Sequence, residues 1–312
     1  MPSSPNATPS MSTTDWLLLV FLSVLWGGSF YFAKIAVPEI PPLTLALGRV
    51  GIAAAVLASL ARLVVGPFPR NPAIWLQLAF MAALNNAIPF VLLFWGQIHI
   101  SIGLASILNA TSPLFGVVVA HVLTHDDRLN LNRVIGLVAG FVGVVVLIGP
   151  DLLQELGASL WAELACLAAA CSYAFGAVLT RRLRGLPPMQ VASGQLTMST
   201  VLLLPAVLIF SRPSALLEAS HPALGGLLGL ALLCSALAYL IYFRLIARAG
   251  ATNALLTTFL TPVSAIVIGV VLLGESLNSR QLIGMAAIFV GIVAIDGRAG
   301  RFLIRRFRRT NS

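Results

Sequence analysis

Residues Pro113 to Gly149 read PLFGVVVAHVLTHDDRLNLNRVIGLVAGFVGVVVLIG. Most of that text returns at Pro262 to Gly297 as PVSAIVIGVVLLGESLNSRQLIGMAAIFVGIVAIDG. With one residue skipped in the Asp126–Arg128 turn, 14 of 36 aligned positions are identical. They include Pro113/Pro262, Leu129 and Asn130 with Leu277 and Asn278, Ile135 and Gly136 with Ile283 and Gly284, and Phe141 to Gly143 with Phe289 to Gly291. Apolar composition alone does not place prolines and glycines in register, because each answers a backbone need. The pattern reads as an internal duplication with a period of about 150 residues, and any fold must accommodate it.

Composition identifies the solvent of that repeated unit. Hydrophobic residues make up 59% of the chain and charged ones 9%, against about 25% charged in a soluble globule. The mean hydropathy is +0.98, so hydrocarbon rather than water surrounds most of the chain. The formal net charge of +9 would suggest nucleic acid in a soluble protein, but here the basic residues sit in short loops and a C-terminal tail. Cys166, Cys171 and Cys234 all fall in apolar runs and form no CxxC pair, which predicts free thiols packed as small apolar residues. A single lysine among the basic residues fits a GC-rich bacterial genome.

Residues 1–15 are rich in Ser, Thr and Pro with no Lys or Arg, which predicts a disordered tail without a signal-peptide n-region. Ten apolar segments follow, at 16–36, 43–65, 73–97, 101–122, 131–149, 158–181, 189–211, 222–246, 250–272 and 279–297. Each is long enough to cross about 30 Å of hydrocarbon as a helix. Placing the N-terminus inside puts Arg62, Arg70, Arg128, Arg133, Arg181, Arg182, Arg184, Arg244, Arg248 and the arginines from Arg298 to Arg309 in the cytoplasm. Only Arg212 and Arg280 then lie outside. This asymmetry is a positive-inside signal, with both termini cytoplasmic. Five spans per repeat is an odd number, so the second copy enters the membrane upside down. The predicted fold is an all-α polytopic membrane protein of ten transmembrane helices in two inverted five-helix repeats, at 16–149 and 158–297. Residues 150–157 form a linker and 298–312 a basic cytoplasmic tail. Inverted repeats of this kind place one site between two halves in many secondary transporters.

Several residues carry a more specific likeness. Leu25 to Phe30 reads LWGGSF, followed by Lys34 in the first span and Arg49 in the second. With the Pro113 and Pro262 helices, and Gly274-Glu275 followed by Gln281 to Gly284, this pattern resembles an EamA-type transporter of the drug/metabolite transporter superfamily over nearly all of residues 16–297. The chain departs from that pattern after the fourth span, where His125-Asp126 stands for the usual Gly-Glu. The resemblance implies ten helices, inverted halves and the movement of small metabolites or drugs, often outward, across a bacterial inner membrane. It names no substrate.

The residues themselves point to a midplane site. A proline inside a helix strips the carbonyl four residues earlier of its partner, and in lipid that costs several kcal/mol. Pro113 and Pro262 do this to Asn109 and Thr258 at matching places of the two repeats, among further small polar side chains. Paired, interrupted helices of this kind mark a substrate site. Asn85 and Asn86 precede Pro89 in the third span. Trp26 and Tyr173 occupy equivalent midspan places, away from the interfacial belts where such rings are at home. Tyr239 and Gln195 complete the candidate substrate-binding set of Trp26, Asn85, Asn86, Asn109, Tyr173, Gln195, Tyr239 and Thr258. Helix bending with hydroxyls bonded back to their own helix, and plain interhelical packing, are the competing readings of these residues.

Lys34, Arg49 and Glu163 are ionisable residues lying inside their spans toward the outer surface, and such groups usually face protein or water. With Pro113 and Pro262 they form the candidate gating and coupling set, Glu163 exchanging Arg49 or Lys34 for a proton or an anionic substrate. His121 and His125 have the i, i+4 spacing of a metal pair, but no further ligand stands at zincin spacing, so no metal site is predicted. No cofactor motif is found. No GxxxxGK[ST] loop is present, and the spans hold no nucleophile–base set, which points away from an enzyme. Gly136/Gly140 and Gly225/Gly229 are GxxxG pairs suited to close helix packing or a homodimer face. The arginines of the tail, interleaved with Phe302, Leu303, Ile304 and Phe307, suit anionic lipid rather than nucleic acid. A passive facilitator or channel is the alternative to a secondary transporter.

Overall fold

The computed structural model describes residues 11–100, 102–123, 131–148, 157, 159–180, 183, 185–250, 253–254, 256–273 and 279–296. Among them every regular element is helical. In chain order these are α1 (Thr13–Ala36), α2 (Pro42–Val64), α3 (Pro72–His99), α4 (Ile102–Asn109), α5 (Ser112–Leu123), α6 (Leu131–Ile148), α7 (Leu160–Thr180), α8 (Pro188–Phe210), the short α9 (Ala215–Glu218), α10 (His221–Ala249), α11 (Thr257–Leu273) and α12 (Ser279–Asp296).

The sequence sets these ends by ordinary capping. Ser12 caps α1, with the Asp15 side chain returning the bond to complete a capping box. Asn71 and Ser220 cap α3 and α10, and proline occupies the first turn of α2, α3, α8 and α10, where its missing N–H costs nothing. After α2 and α10 the chain turns through Gly66 (φ 107°) and Gly250 (φ 88°), left-handed positions that suit glycine.

Two of the long helices contain a π-helical segment, Ala83–Ala87 in α3 and Gly229–Leu237 in α10. Such segments widen the helix and release carbonyls from the regular ladder. They occupy the third long helix of each half.

Among the described residues, α1, α2, α3, α8, α10 and the stretch Leu160–Leu179 of α7 are long and apolar enough to cross a membrane. Leu17, Val20, Phe21 and Val24 on α1, and Val201, Leu202, Leu204 and Leu208 on α8, are exposed. Apolar faces of that extent belong in lipid. Among the described residues the remaining expected spans are shorter or divided. The predicted helix 101–122 is broken at Ala110–Thr111 into α4 and α5, so Pro113 lies in the first turn of α5 instead of a helix interior. Proline is tolerated there, and Ser112 Oγ donates to the Asn109 carbonyl at 2.6 Å. Pro262, by contrast, lies inside continuous α11.

Packing relates the halves by exchange. α6 lies against α12 and α2 against α8; α1 packs on α10 and α11 as α7 packs on α3 and α5. The α6–α12 contact brings backbones together. A Cβ on Gly143 would lie 2.6 Å from the Ile288 nitrogen, and one on Gly291 would lie 2.6 Å from the Gly140 nitrogen and 2.8 Å from the Gly136 carbonyl. The Gly136/Gly140 pair therefore serves an intramolecular contact.

Candidate functional site

A cavity of about 100 Å³ opens between the halves. Its lining contains Trp26, Asn85, Asn109, Tyr173, Tyr239, Thr258 and Arg49 of the sequence candidates, and also Ser29, Phe30, Phe90, Leu93, Phe94, Gln97, Ser112, Tyr242 and Thr261. Equivalent helices contribute facing groups: Trp26 from α1 and Tyr173 from α7, and Asn109 with Ser112 from α4–α5 against Thr258 with Thr261 from α11.

The π segments build the polar wall. In α3 the released Leu84 carbonyl accepts from Ser172 Oγ at 2.7 Å. Asn86 is fully buried, its Nδ2 donating to Ser199 Oγ at 2.8 Å and its Oδ1 accepting from the Tyr239 hydroxyl. Asn85 is turned toward the cavity over Gly176. In α10 the π segment presents Ser235 Oγ and the Cys234 carbonyl to Arg49, at 2.7 Å from Nε and 3.3 Å from Nη2. Tyr239 and Tyr242 follow within the same helix, and the Trp26 ring lies 5.2 Å from that of Tyr242.

Arg49 is 5% exposed. Its guanidinium carbon lies 3.9 Å from the Phe90 ring centroid and 5.9 Å from that of Phe94. A desolvated cation–π contact contributes about 2 kcal/mol, and each hydrogen bond from a charged donor about 1.5–3 kcal/mol. Together these offset much of the several kcal/mol needed to bury an ion, yet they leave its charge uncancelled. Among the described residues of the lining, Arg49 is the only charged one. Two acceptors on the same wall, Gln97 Oε1 and Asn109 Oδ1, are buried without a donor.

Other sequence candidates lie elsewhere. Gln195 is buried in α8 with neither side-chain amide atom hydrogen-bonded, and it is outside the lining. Lys34 is exposed near the end of α1. Glu163 is buried in the first turn of α7, its Oε1 accepting from the Gly157 N–H at 2.6 Å. Glu163 and Arg49 thus have separate partners in this conformation. Pro113 and Pro262 are buried and shape the helices behind the lining. The side chains of His121 and His125 lie outside the described residues, as does the basic tail. Sequence reasoning left Phe90 and Phe94 out of the site; their signal is an i, i+4 aromatic pair just after Pro89. Ser235 was detectable as a hydroxyl in the otherwise apolar run from Leu230 to Leu237.

Fold and cavity define a multi-pass membrane protein with a small amphipathic chamber between two helical halves. The chain belongs to the EamA-like transporter family, which matches it twice, at residues 14–149 and 160–295. It is similar to the "Probable amino-acid metabolite efflux pump" of Salmonella typhimurium, 28% identical over 90% of this chain and 94% of that one. It is also similar to the "Probable terminal-alkyne amino-acid exporter" of Streptantibioticus cattleyicolor, 27% identical over 92% of this chain and 95% of that one. A solved crystal structure superimposes with a TM-score of 0.72 at 19% identity, covering 95% of this chain and 99% of the other; that likeness concerns the fold alone. The chain is a membrane transporter.

Proposed function

We propose that this protein is a secondary transporter that moves a small metabolite or drug-like molecule out across the bacterial cytoplasmic membrane by alternating access. On this reading it has ten transmembrane helices in two inverted five-helix repeats, residues 16–149 and 158–297, joined by a linker at 150–157. Both termini are cytoplasmic, and the tail at 298–312 rests on anionic lipid.

One observation carries the reading: the cavity draws matching positions from both halves, Trp26 with Tyr173 and Asn109 with Thr258. The helix contacts support inversion. The Thr44 and Ser211 hydroxyls lie 2.8 Å apart, joining the start of α2 to the end of α8. Counterpart helices α2 and α8 are therefore antiparallel, as α6 and α12 are by their glycine contacts. An axis in the membrane plane relates repeats in this manner. The names of the Salmonella and Streptantibioticus relatives support small metabolites and the outward direction. The described lining comes from one chain, so each copy in a homodimer would carry its own path. Glu163 is the proposed coupling group, trading the Gly157 N–H for Arg49 or Lys34 during the cycle.

The test is a broad metabolite and drug screen with purified protein in liposomes, with and without a pH gradient. Saturable flux is expected, and in Glu163→Gln it should lose its dependence on the gradient. Substrate-independent conductance would favour a channel, and turnover of a lipid or peptide would favour an enzyme.

A further inference from the structure

We infer that Arg49 is the receptor for an anionic head group, and that the substrate class is a small organic acid with a flat apolar body and a hydrogen-bond donor. This rests on the transporter reading for the same cavity.

The argument begins with the charge. Arg49 lines the cavity and is nearly inaccessible to solvent. Its recorded partners are a hydroxyl, a carbonyl and two aromatic rings, all uncharged. Among the described residues, the lining contains no carboxylate. The described acidic side chains with assigned partners are engaged elsewhere: Asp15 with Arg248, Glu39 with Ser220, and Glu163 with Gly157. A structural arginine is ordinarily buried against a carboxylate, which cancels its charge. This one is held by neutral groups and retains its full positive charge beside a cavity.

The way it is held also matters. Ser235 and Cys234 fix Nε and Nη2, and Phe90 covers one face of the plane. A guanidinium has five N–H donors in a rigid fork, so donors remain after these bonds. Such a fork pairs with a carboxylate in two parallel, charge-assisted hydrogen bonds. The π segment of α10 orients the fork, since it delivers both Ser235 and the Cys234 carbonyl.

The remaining wall constrains the rest of the molecule. Trp26, Phe90, Phe94, Tyr173 and Tyr242 offer rings to a flat apolar body. Gln97 Oε1 and Asn109 Oδ1 are buried acceptors still lacking a donor, so an N–H or O–H on the substrate has a place to go. A compound with a cation and no anion would face Arg49 across the low-dielectric chamber and be repelled.

Three probes of one shape separate these effects: 3-phenylpropionate, 3-phenylpropanamide and 2-phenylethylamine. Binding to the purified full chain is measured by titration calorimetry and by the shift in Tm. The carboxylate should bind roughly 30-fold or more tighter than the amide, in line with a buried charge pair, and the amine should bind weakest. Arg49→Gln should erase the difference between carboxylate and amide, while Arg49→Lys should keep part of it, having charge without the fork. Equal binding of carboxylate and amide to the unmodified protein overturns the inference, as does tightest binding of the amine or no binding of the carboxylate. That series needs no variant, so misfolding of Arg49→Gln leaves it decisive. Counterflow in proteoliposomes separates the two readings. Carboxylate binding without any counterflow would sink the transporter reading alone, whereas counterflow indifferent to the carboxylate overturns the anion receptor alone.

Discussion

The Asn85 side chain fills the space over Gly176 so fully that a Cβ on Gly176 would lie 1.8 Å from Asn85 Oδ1. An absent side chain on α7 thereby lets a polar side chain of α3 stand in the cavity wall. Gly176→Ala must push Asn85 aside, and overpacking of this kind costs about 1–3 kcal/mol. We expect a lower Tm together with impaired flux, read on purified protein and in liposomes. Unchanged flux in a well-folded Gly176→Ala protein would remove Asn85 from the path.

Tyr239→Phe deletes the hydroxyl that donates to Asn86 Oδ1. Asn86 is fully buried, so its carbonyl is left without that donor, at a cost of about 1–3 kcal/mol. The expected result is a drop in Tm that is much smaller when Asn86 is also replaced by Leu. Strict additivity of the two substitutions would show that the bond contributes nothing.

Topology is open to labelling at two exposed loop positions. Leu217 on α9 is 90% exposed, and Arg70 before α3 is also exposed. In intact cells a cysteine at Leu217 should react with an impermeant thiol reagent, and one at Arg70 should be protected until the membrane is opened. The reverse pattern would overturn the orientation derived from the basic loops.

Glu39 gives a pH dependence of known sign. The Ser220 backbone N–H and then its hydroxyl hold the Glu39 carboxyl below the usual carboxylate value. A lowered folded value means that the clamp between the α1–α2 loop and the start of α10 is complete above the ordinary carboxylate range. It is lost as pH falls through the lowered value. Hydrogen exchange at the Ser220 amide should show protection that declines on acidification, and Glu39→Gln should lack that decline. Protection that is flat with pH in the unmodified protein would refute the clamp.

Much of this arrangement was legible before the fold was known, and the reason is periodicity. Prolines and glycines repeated in register announced the duplication, and the same register aligned Trp26 with Tyr173 and Asn109 with Thr258. Other features depend on partners far away in sequence. Nothing local to Ser235 says that it meets Arg49, 186 residues distant, and apolar runs do not announce π segments. The break at Ala110–Thr111 was hidden because its polar residues also fit a bent, continuous helix. Gln195 shows where pattern reading stops: a midspan amide fits a lining position in sequence, and here it is buried in α8 and is not among the residues that line the cavity.

The glycine contact between α6 and α12 has a mechanical consequence. Most helix pairs meet through a layer of side chains, whose rotamers absorb small sliding motions. Where Gly140, Gly143 and Gly291 bring main chain against main chain, that compliant layer is missing, and a shift of even one ångström means collision. On the proposed alternating-access cycle, the pair would be the stator and the helices that carry the cavity the moving parts. Its amides should be among the slowest to exchange in the whole protein, whichever way the chamber faces.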